Sequence, residues 1–256
     1  MKRTVKTAAG GTVCLLLGSY VALAQQQPQG EQHPMTFFIT STPIAHGGNL
    51  GGLAGADAQC QQLASTAGAG NHTWHAYLST QARPGQAAVN ARNRIGVGPW
   101  YNAKGVMIAQ DLAHLHGDTL EMARFGNNLT KVTDLTEKGE MVPGLNEGKD
   151  PHDREWDYIR THPLSNHHEV LTGTQPDGTA YTDNRDHTCN NWTSEAPGNA
   201  GEDIRKNTGA SVQVGMSDRN GGGNGSWNSA HGSSGCSQDD LARAHGEGMF
   251  YCFAVD

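Results

Sequence analysis

Cys60 falls near the start of the chain and Cys252 close to its end, while Cys189 and Cys236 bracket a glycine-rich stretch between them. A fifth cysteine, Cys14, sits in an N-terminal apolar segment that is expected to be removed. Four cysteines allow three connectivities, and spacing alone does not choose among them. Two nested bridges, Cys60 with Cys252 and Cys189 with Cys236, would tie the ends of a domain together and pin the loop. Bridges closing loops of this size would each stabilise the fold by roughly 4 to 5 kcal/mol in the chain-entropy model.

Oxidised cysteines suit an exported protein. Lys2, Arg3 and Lys6 precede an apolar run centred on residues 13–17, and Ala22-Leu23-Ala24 offers a small-residue cleavage site, so residues 1–24 read as a signal peptide. The run is too short for a comfortable membrane span, no second apolar stretch follows, and Cys14 lacks a lipoprotein context. The mature chain is expected in the periplasm or outside the cell, with no transmembrane segment. Residues 25–35, made of Gln, Pro, Gly and Glu, read as a disordered tail. About 220 residues remain, 36–256, enough for one core, with the charged stretch 131–160 the only candidate for an inserted linker.

A formal net charge of −7 with few Lys and Arg clusters argues against a polyanionic partner, which excludes nucleic acid and heparin as expected ligands. With 34 glycines and 17% charged residues, the composition indicates a loop-rich α+β or β fold with few long helices. The apolar run at 36–40, bounded by Pro34 and Pro43, is the expected opening strand. Leu53, Ala56, Cys60, Leu63, Ala64 and Ala67 recur at helical spacing and Gly68 stands where the helix should stop, which turns Cys60 toward the core. A second strand is expected at 74–78, a short helix at 111–116 and a terminal strand at 249–255. The last is apolar without interruption, so it should be central and buried, with Cys252 beside the first helix.

This order of strand, cysteine-bearing helix, long loop between two cysteines and closing strand resembles the C-type lectin-like fold. Gly51-Gly52-Leu53-Ala54-Gly55-Ala56-Asp57-Ala58-Gln59-Cys60-Gln61-Gln62, followed by Trp74-His75-Ala76-Tyr77-Leu78-Ser79, is similar to the first helix and strand of endostatin. Cys189-Asn190-Asn191-Trp192-Thr193-Ser194-Glu195-Ala196-Pro197 is similar to its second-cysteine segment. Closer still are exported bacterial lectin-like proteins, generally of unassigned ligand, which share Arg94-Ile95-Gly96 to Asn102-Ala103-Lys104-Gly105, Leu171-Thr172-Gly173-Thr174 and Ser226-Trp227-Asn228-Ser229-Ala230-His231. The resemblance spans nearly the whole mature chain. It implies the nested pairing Cys60–Cys252 and Cys189–Cys236 and an α+β lectin-like fold: a mixed, mostly antiparallel sheet with short helices and long disulfide-pinned loops. It implies no agreed chemistry, because the fold hosts unrelated functions.

C-type lectins commonly hold sugar through a calcium ion bound by a Glu-Pro-Asn or Gln-Pro-Asp triplet and a Trp-Asn-Asp triplet, since calcium takes several carboxylate and amide oxygens. Gln175-Pro176-Asp177 resembles the galactose-type triplet and Trp227-Asn228-Ser229 the other, so Gln175, Asp177 and Asn228 are the calcium ligands this resemblance implies. Ser229 replaces the aspartate of the second triplet, and Gln175-Pro176-Asp177-Gly178 also reads as a proline turn closed by glycine. Asp218, Asp183, Asp186 and Glu195 could supply further charge. A sugar site would draw on Trp227, Asn228, His231, Asp218 and Trp192, with Tyr181 as another flat face; the structural alternative makes the two tryptophans core residues.

The 13 histidines raise a metal question. His114-Leu115-His116-Gly117-Asp118 matches the start of the HxHxDH signature of binuclear zinc hydrolases, with Thr119 where the last histidine belongs. His162, His167 and His168 with Glu169 could bind zinc or copper at a surface. The zinc site of endostatin is not carried over, since His33 and His46 alone lie in that region. Asp150, Asp153, Glu155 and Asp157 read as a solvated carboxylate run. No HExxH, Gly-x-Ser-x-Gly, P-loop or Rossmann pattern occurs, and no catalytic residue is assigned. The leading expectation is an exported, non-catalytic carbohydrate-binding protein, calcium-assisted or not. A protein-binding or structural envelope module and a metal-dependent hydrolase are the alternatives.

Overall fold

The computed structural model describes residues 33–44, 46–144, 166–199, 209–220 and 224–256. The signal peptide, most of the expected tail, His162 and the run from Asp150 to Asp157 lie outside the described residues. The strands are β1 (Phe37–Ile39), β2 (Trp74–Ala76), β3 (Trp100–Tyr101), β4 (Met107–Ala109), β5 (Glu169–Leu171), β6 (Gln213–Met216), β7 (His231–Gly232) and β8 (Gly246–Ala254). Among the described residues four right-handed α-helices accompany them, α1 (Gly52–Thr66) and the shorter α2 (Leu112–His116), α3 (Leu120–Phe125) and α4 (Gln238–Arg243).

β8 organises the molecule. It pairs antiparallel with β1 and β2 and parallel with β5, and the main sheet continues through β6 to β7, while β3 and β4 form a separate two-stranded ribbon. β1 opposes Tyr251–Phe253 and β2 opposes Cys252–Ala254, so these two strands flank β8 on opposite edges. The uninterrupted apolar character of this strand follows from burial on both faces. Phe250, Cys252 and Ala254 belong to one core layer, with Phe38, Trp74 and the buried stripe of α1. Met249, Tyr251 and Phe253 belong to the other, with Phe37, Tyr77, Trp100 and Trp227. Alternation along a strand assigns the two sets to opposite sides of the sheet.

α1 buries Ala56, Cys60 and Ala64 at four-residue spacing, a stripe of small side chains that lets the helix lie close to the sheet. Gly68 at its end takes a left-handed φ of 83°, the stop that its position suggests. Asp111 caps α2 by accepting from the His114 backbone N–H at 2.8 Å.

The fold is therefore mixed α+β with mostly antiparallel pairing and short helices, held by two disulfides. Cys60 bonds Cys252 across α1 and β8, with Cα atoms 5.6 Å apart, and Cys189 bonds Cys236, at 5.7 Å. Gly48 makes room for the second bridge, since a Cβ there would lie 2.4 Å from Cys189 Sγ. Residues 189–192 form one left-handed turn, with φ values of 48°, 56°, 55° and 67°. L-residues pay for that conformation, asparagine least. Hydrogen bonds hold it in place: Asp186 accepts from the backbone N–H groups of Thr188 and Asn190, Asn191 exchanges side-chain bonds with the Gln81 backbone, and Trp192 Nε1 donates to Ser79 O at 2.7 Å.

Candidate functional site

A cavity of about 210 Å³ opens between α2, α3 and the segment 226–228 that precedes β7. Three stretches of chemical interest converge on it: His116 from α2, Pro176 from the proline turn, and Trp227 with Asn228. Met122 and Ala123 of α3 supply an apolar wall; Asn127, Ser226 and Arg219 supply polar groups. Its volume falls below the roughly 300–1,000 Å³ of drug-sized sites, which suits one small ring rather than an extended chain.

A hydrogen-bonded relay stands behind the wall. His116 Nδ1 donates to Leu112 O at 2.9 Å, which leaves Nε2 to accept from the Tyr77 hydroxyl at 2.8 Å. Tyr77 in turn accepts from Asn228 Nδ2 at 3.0 Å. Burial lowers the His116 pKa and raises that of Tyr77, so both groups stay uncharged and in the protonation states the relay requires. Asn228 Nδ2 also faces the carbonyls of Gln175 and Pro176, and its Oδ1 accepts from Ser226 Oγ at 3.0 Å. Two carbonyl acceptors on one side of the amide fix its orientation. Trp227 is 5% exposed and packs against Tyr77, His116 and Tyr251, showing the cavity only part of its ring.

Arg219 approaches from the turn after β6. Its φ of 53° is left-handed, its N–H donates to Met216 O, and its carbonyl lies so near residue 225 that a Cβ there would stand 2.2 Å from it. Only glycine fits at 225. The residue is exposed, its guanidinium donates to Asn127 Oδ1, and partial desolvation pulls its pKa down without removing its charge. Asp134 is fully enclosed nearby beside Tyr251; burial pushes its pKa well above the ordinary carboxylate range and favours the neutral acid.

Other singled-out residues lie elsewhere. Trp192 is wholly buried in the α1 layer, on the opposite side of the sheet from Trp227, and serves as a core residue. His231 Nε2 meets Glu169 Oε1 at 3.0 Å, and Asp218 pairs with His168 Nδ1 at 2.9 Å, neither facing the cavity. Tyr181 stacks on His187, and Asp183 pairs with that same ring at 2.9 Å. Glu195 lies 3.6 Å from the exposed His46, His33 stacks on Tyr101, and His167 pairs with Glu247.

Gln175, Pro176, Asp177 and Gly178 form a hydrogen-bonded turn. Asp177 Oδ1 accepts from the Thr179 N–H and hydroxyl, at 2.9 and 2.6 Å, and the Gln175 amide donates to Thr179 Oγ1 and Ala180 O. Arg92 braces this turn, donating to Asp177 O at 2.8 Å and pairing with Asp118. Asp118 is thus drawn away from His114, whose Nε2 lies 3.0 Å from Gly126 O, and from His116 in its relay. Among the described residues, no group of three His, Cys, Asp or Glu side chains is arranged to hold a metal ion. No helix of the described residues is long and apolar enough to cross a membrane.

Arg219, Asn127, Arg92 and the Tyr77 hydroxyl had no signal in the sequence. Asp218-Arg219-Asn220 before a glycine run reads as a turn, and nothing local marks its arginine as lining a cavity. Comparison with protein-family models and with curated proteins returns no match.

Proposed function

We propose that this protein is an exported, non-catalytic carbohydrate-binding module with a C-type lectin-like, endostatin-like fold, and that the cavity beside Trp227 receives one sugar residue. The fold reading is supported by a terminal strand at the centre of the sheet, a disulfide tying it to the first helix, and a second disulfide pinning the long loop. The observation that carries the functional reading is the composition of the cavity: an apolar wall from Met122, Ala123 and the Trp227 edge, facing amides and a hydroxyl from Asn127, Asn228 and Ser226. A sugar ring has the same two-sided character, apolar C–H faces and a hydroxyl rim.

The test is a glycan-array screen of the oxidised exported protein, run with calcium and again with chelator, alongside an Ala123→Trp variant that fills the exposed mouth of the cavity. Specific binding abolished by Ala123→Trp at unchanged melting temperature supports the site. Loss on chelation adds calcium to it. Binding that survives the filled cavity refutes this placement.

One observation favours a protein-binding module instead. Leu120 and Phe125 stand 77% and 79% exposed on α3 beside the cavity, and such residues at the rim of a pocket suit a protein partner. Silence on the array, with a stable partner captured from envelope fractions and released by Phe125→Ser, would establish that reading.

A further inference from the structure

We infer that the cavity selects a sugar bearing a carboxylate, a uronic acid or a related sugar acid, with Arg219 as the residue that sets this preference. The inference rests on the carbohydrate reading above and adds the charge of the ligand.

Among the described residues, Arg219 is the only charged side chain lining the cavity, and no carboxylate lines it. The acids that could neutralise it are committed or uncharged. Asp118 is held by both guanidinium nitrogens of Arg92, at 3.2 and 2.5 Å. Asp218 binds His168. Asp134, the acid that bears electrostatically on Arg219, is enclosed and favours its neutral form. Among the described residues Arg219 forms no ion pair, and the one hydrogen bond of its side chain goes to the neutral amide of Asn127. A guanidinium carries five N–H donors in a planar fork, so a single bond to Asn127 leaves donors of this exposed side chain available to a ligand at the cavity. In a chain of net charge −7 that is a local reversal of sign.

The left-handed φ at Arg219 and the close passage of Gly225 fix the backbone of this turn, and the bond to Asn127 draws the exposed guanidinium to the cavity rim. A planar carboxylate matches the fork with two parallel hydrogen bonds, which a hydroxyl cannot do. Placing the carboxylate on Arg219 leaves the sugar ring against Met122, Ala123 and Trp227.

The experiment compares matched pairs that differ only at C6, galacturonic acid with galactose and glucuronic acid with glucose, titrated into the full exported protein and followed by NMR or calorimetry. At least one acid should bind about tenfold or more tighter than its neutral partner, and the gap should narrow in high salt. Arg219→Gln should bring the affinity ratio of acid to neutral sugar within each pair close to one. Arg219→Lys, which keeps the charge but not the fork, should fall between. Equal affinity within both pairs, or a preference that survives Arg219→Gln, overturns the inference while leaving the carbohydrate reading intact. Binding of neither member of either pair, joined to silence on the array, overturns both.

Discussion

Asp57 and Arg94 form a clamp whose removal should destabilise the protein through the first core layer. Asp57 reaches from α1 with Oδ2 2.6 Å from Arg94 Nη2, and Oδ1 accepts from the Ala76 N–H at 2.8 Å. Arg94 Nη1 donates to the carbonyl of the same Ala76. One ion pair thus satisfies both backbone groups of Ala76 that are not used by β8, in place of a neighbouring strand. The two side chains are 23% and 11% exposed, enough enclosure for the pair to matter. Asp57→Ala leaves a buried N–H unpartnered, about 1 to 3 kcal/mol, and Arg94 without its counter-ion, so the total should reach about 3 to 4 kcal/mol, near the cost of breaking an enclosed pair. Arg94→Ala keeps the Asp57 bond to the N–H and should cost about 2 to 3 kcal/mol. The double variant should cost less than the sum by about 1 to 2 kcal/mol, the coupling expected of groups in direct contact. Urea unfolding of the oxidised proteins, followed by tryptophan fluorescence, measures all three with an unchanged m-value. An Asp57→Ala cost below about 1 kcal/mol, or strict additivity, would refute the view that this pair closes the edge of β2.

Two further outcomes follow from the bridges and from the histidines. Cys189→Ala with Cys236→Ala should cost about 4 kcal/mol, and Cys60→Ala with Cys252→Ala about 5 kcal/mol, since the bridged residues are 47 and 192 apart; equal losses under 1 kcal/mol would show that the bridges do not act through the denatured chain. His231 titrates against Glu169: burial works to lower its pKa, but the hydrogen bond and charge of the carboxylate outweigh that, and the folded value lies above the ordinary 6.5. The stabilisation is therefore complete below about pH 6.5 and is lost as pH rises through the folded value. The stability gap between the native protein and His231→Gln should be largest below about pH 6.5 and shrink as pH rises through the folded value of His231. His245, which faces Glu169, His167, His168 and His231, is lowered by burial and acts with the opposite sign, so the difference between the two proteins, rather than either curve, is what must be read. A gap that widens with pH would contradict the assignment.

The elements legible in the sequence were those whose hydrophobic pattern is local and repeated. The expected opening strand is β1, the helix through Cys60 is α1, and the apolar terminal run is β8, central as its composition suggests. β3, β4, β6 and β7 have two to four residues each, too few for a period to register, and β6 takes its place in the sheet by pairing with the distant β5. The site divides in the same way. Trp227, Asn228, Pro176 and His116 belong to stretches whose chemistry stood out, and they meet at one cavity. Arg219 belongs to no pattern, and its place depends on a left-handed backbone that a single arginine does not announce.

Why so many polar motifs proved to be framework follows from the shortage of regular structure. In a chain with 34 glycines and long loops, backbone N–H groups find no helix or ladder partner and must be met by side chains. Asp177 serves Thr179, Asp186 serves Thr188 and Asn190, Asn191 serves Gln81, and Asp111 serves His114. Asn, Asp, Gln and Thr do this by short local bonds, and the same residue types hold calcium or sugar hydroxyls. Amide and carboxylate motifs in such a protein therefore read equally as site and as scaffold. What separates them is whether the polar group still has capacity left after the backbone is served. By that measure Asp186 is spent on its turn, whereas Arg219, with one side-chain bond to Asn127 beside the apolar wall of α3, keeps donors to offer a ligand.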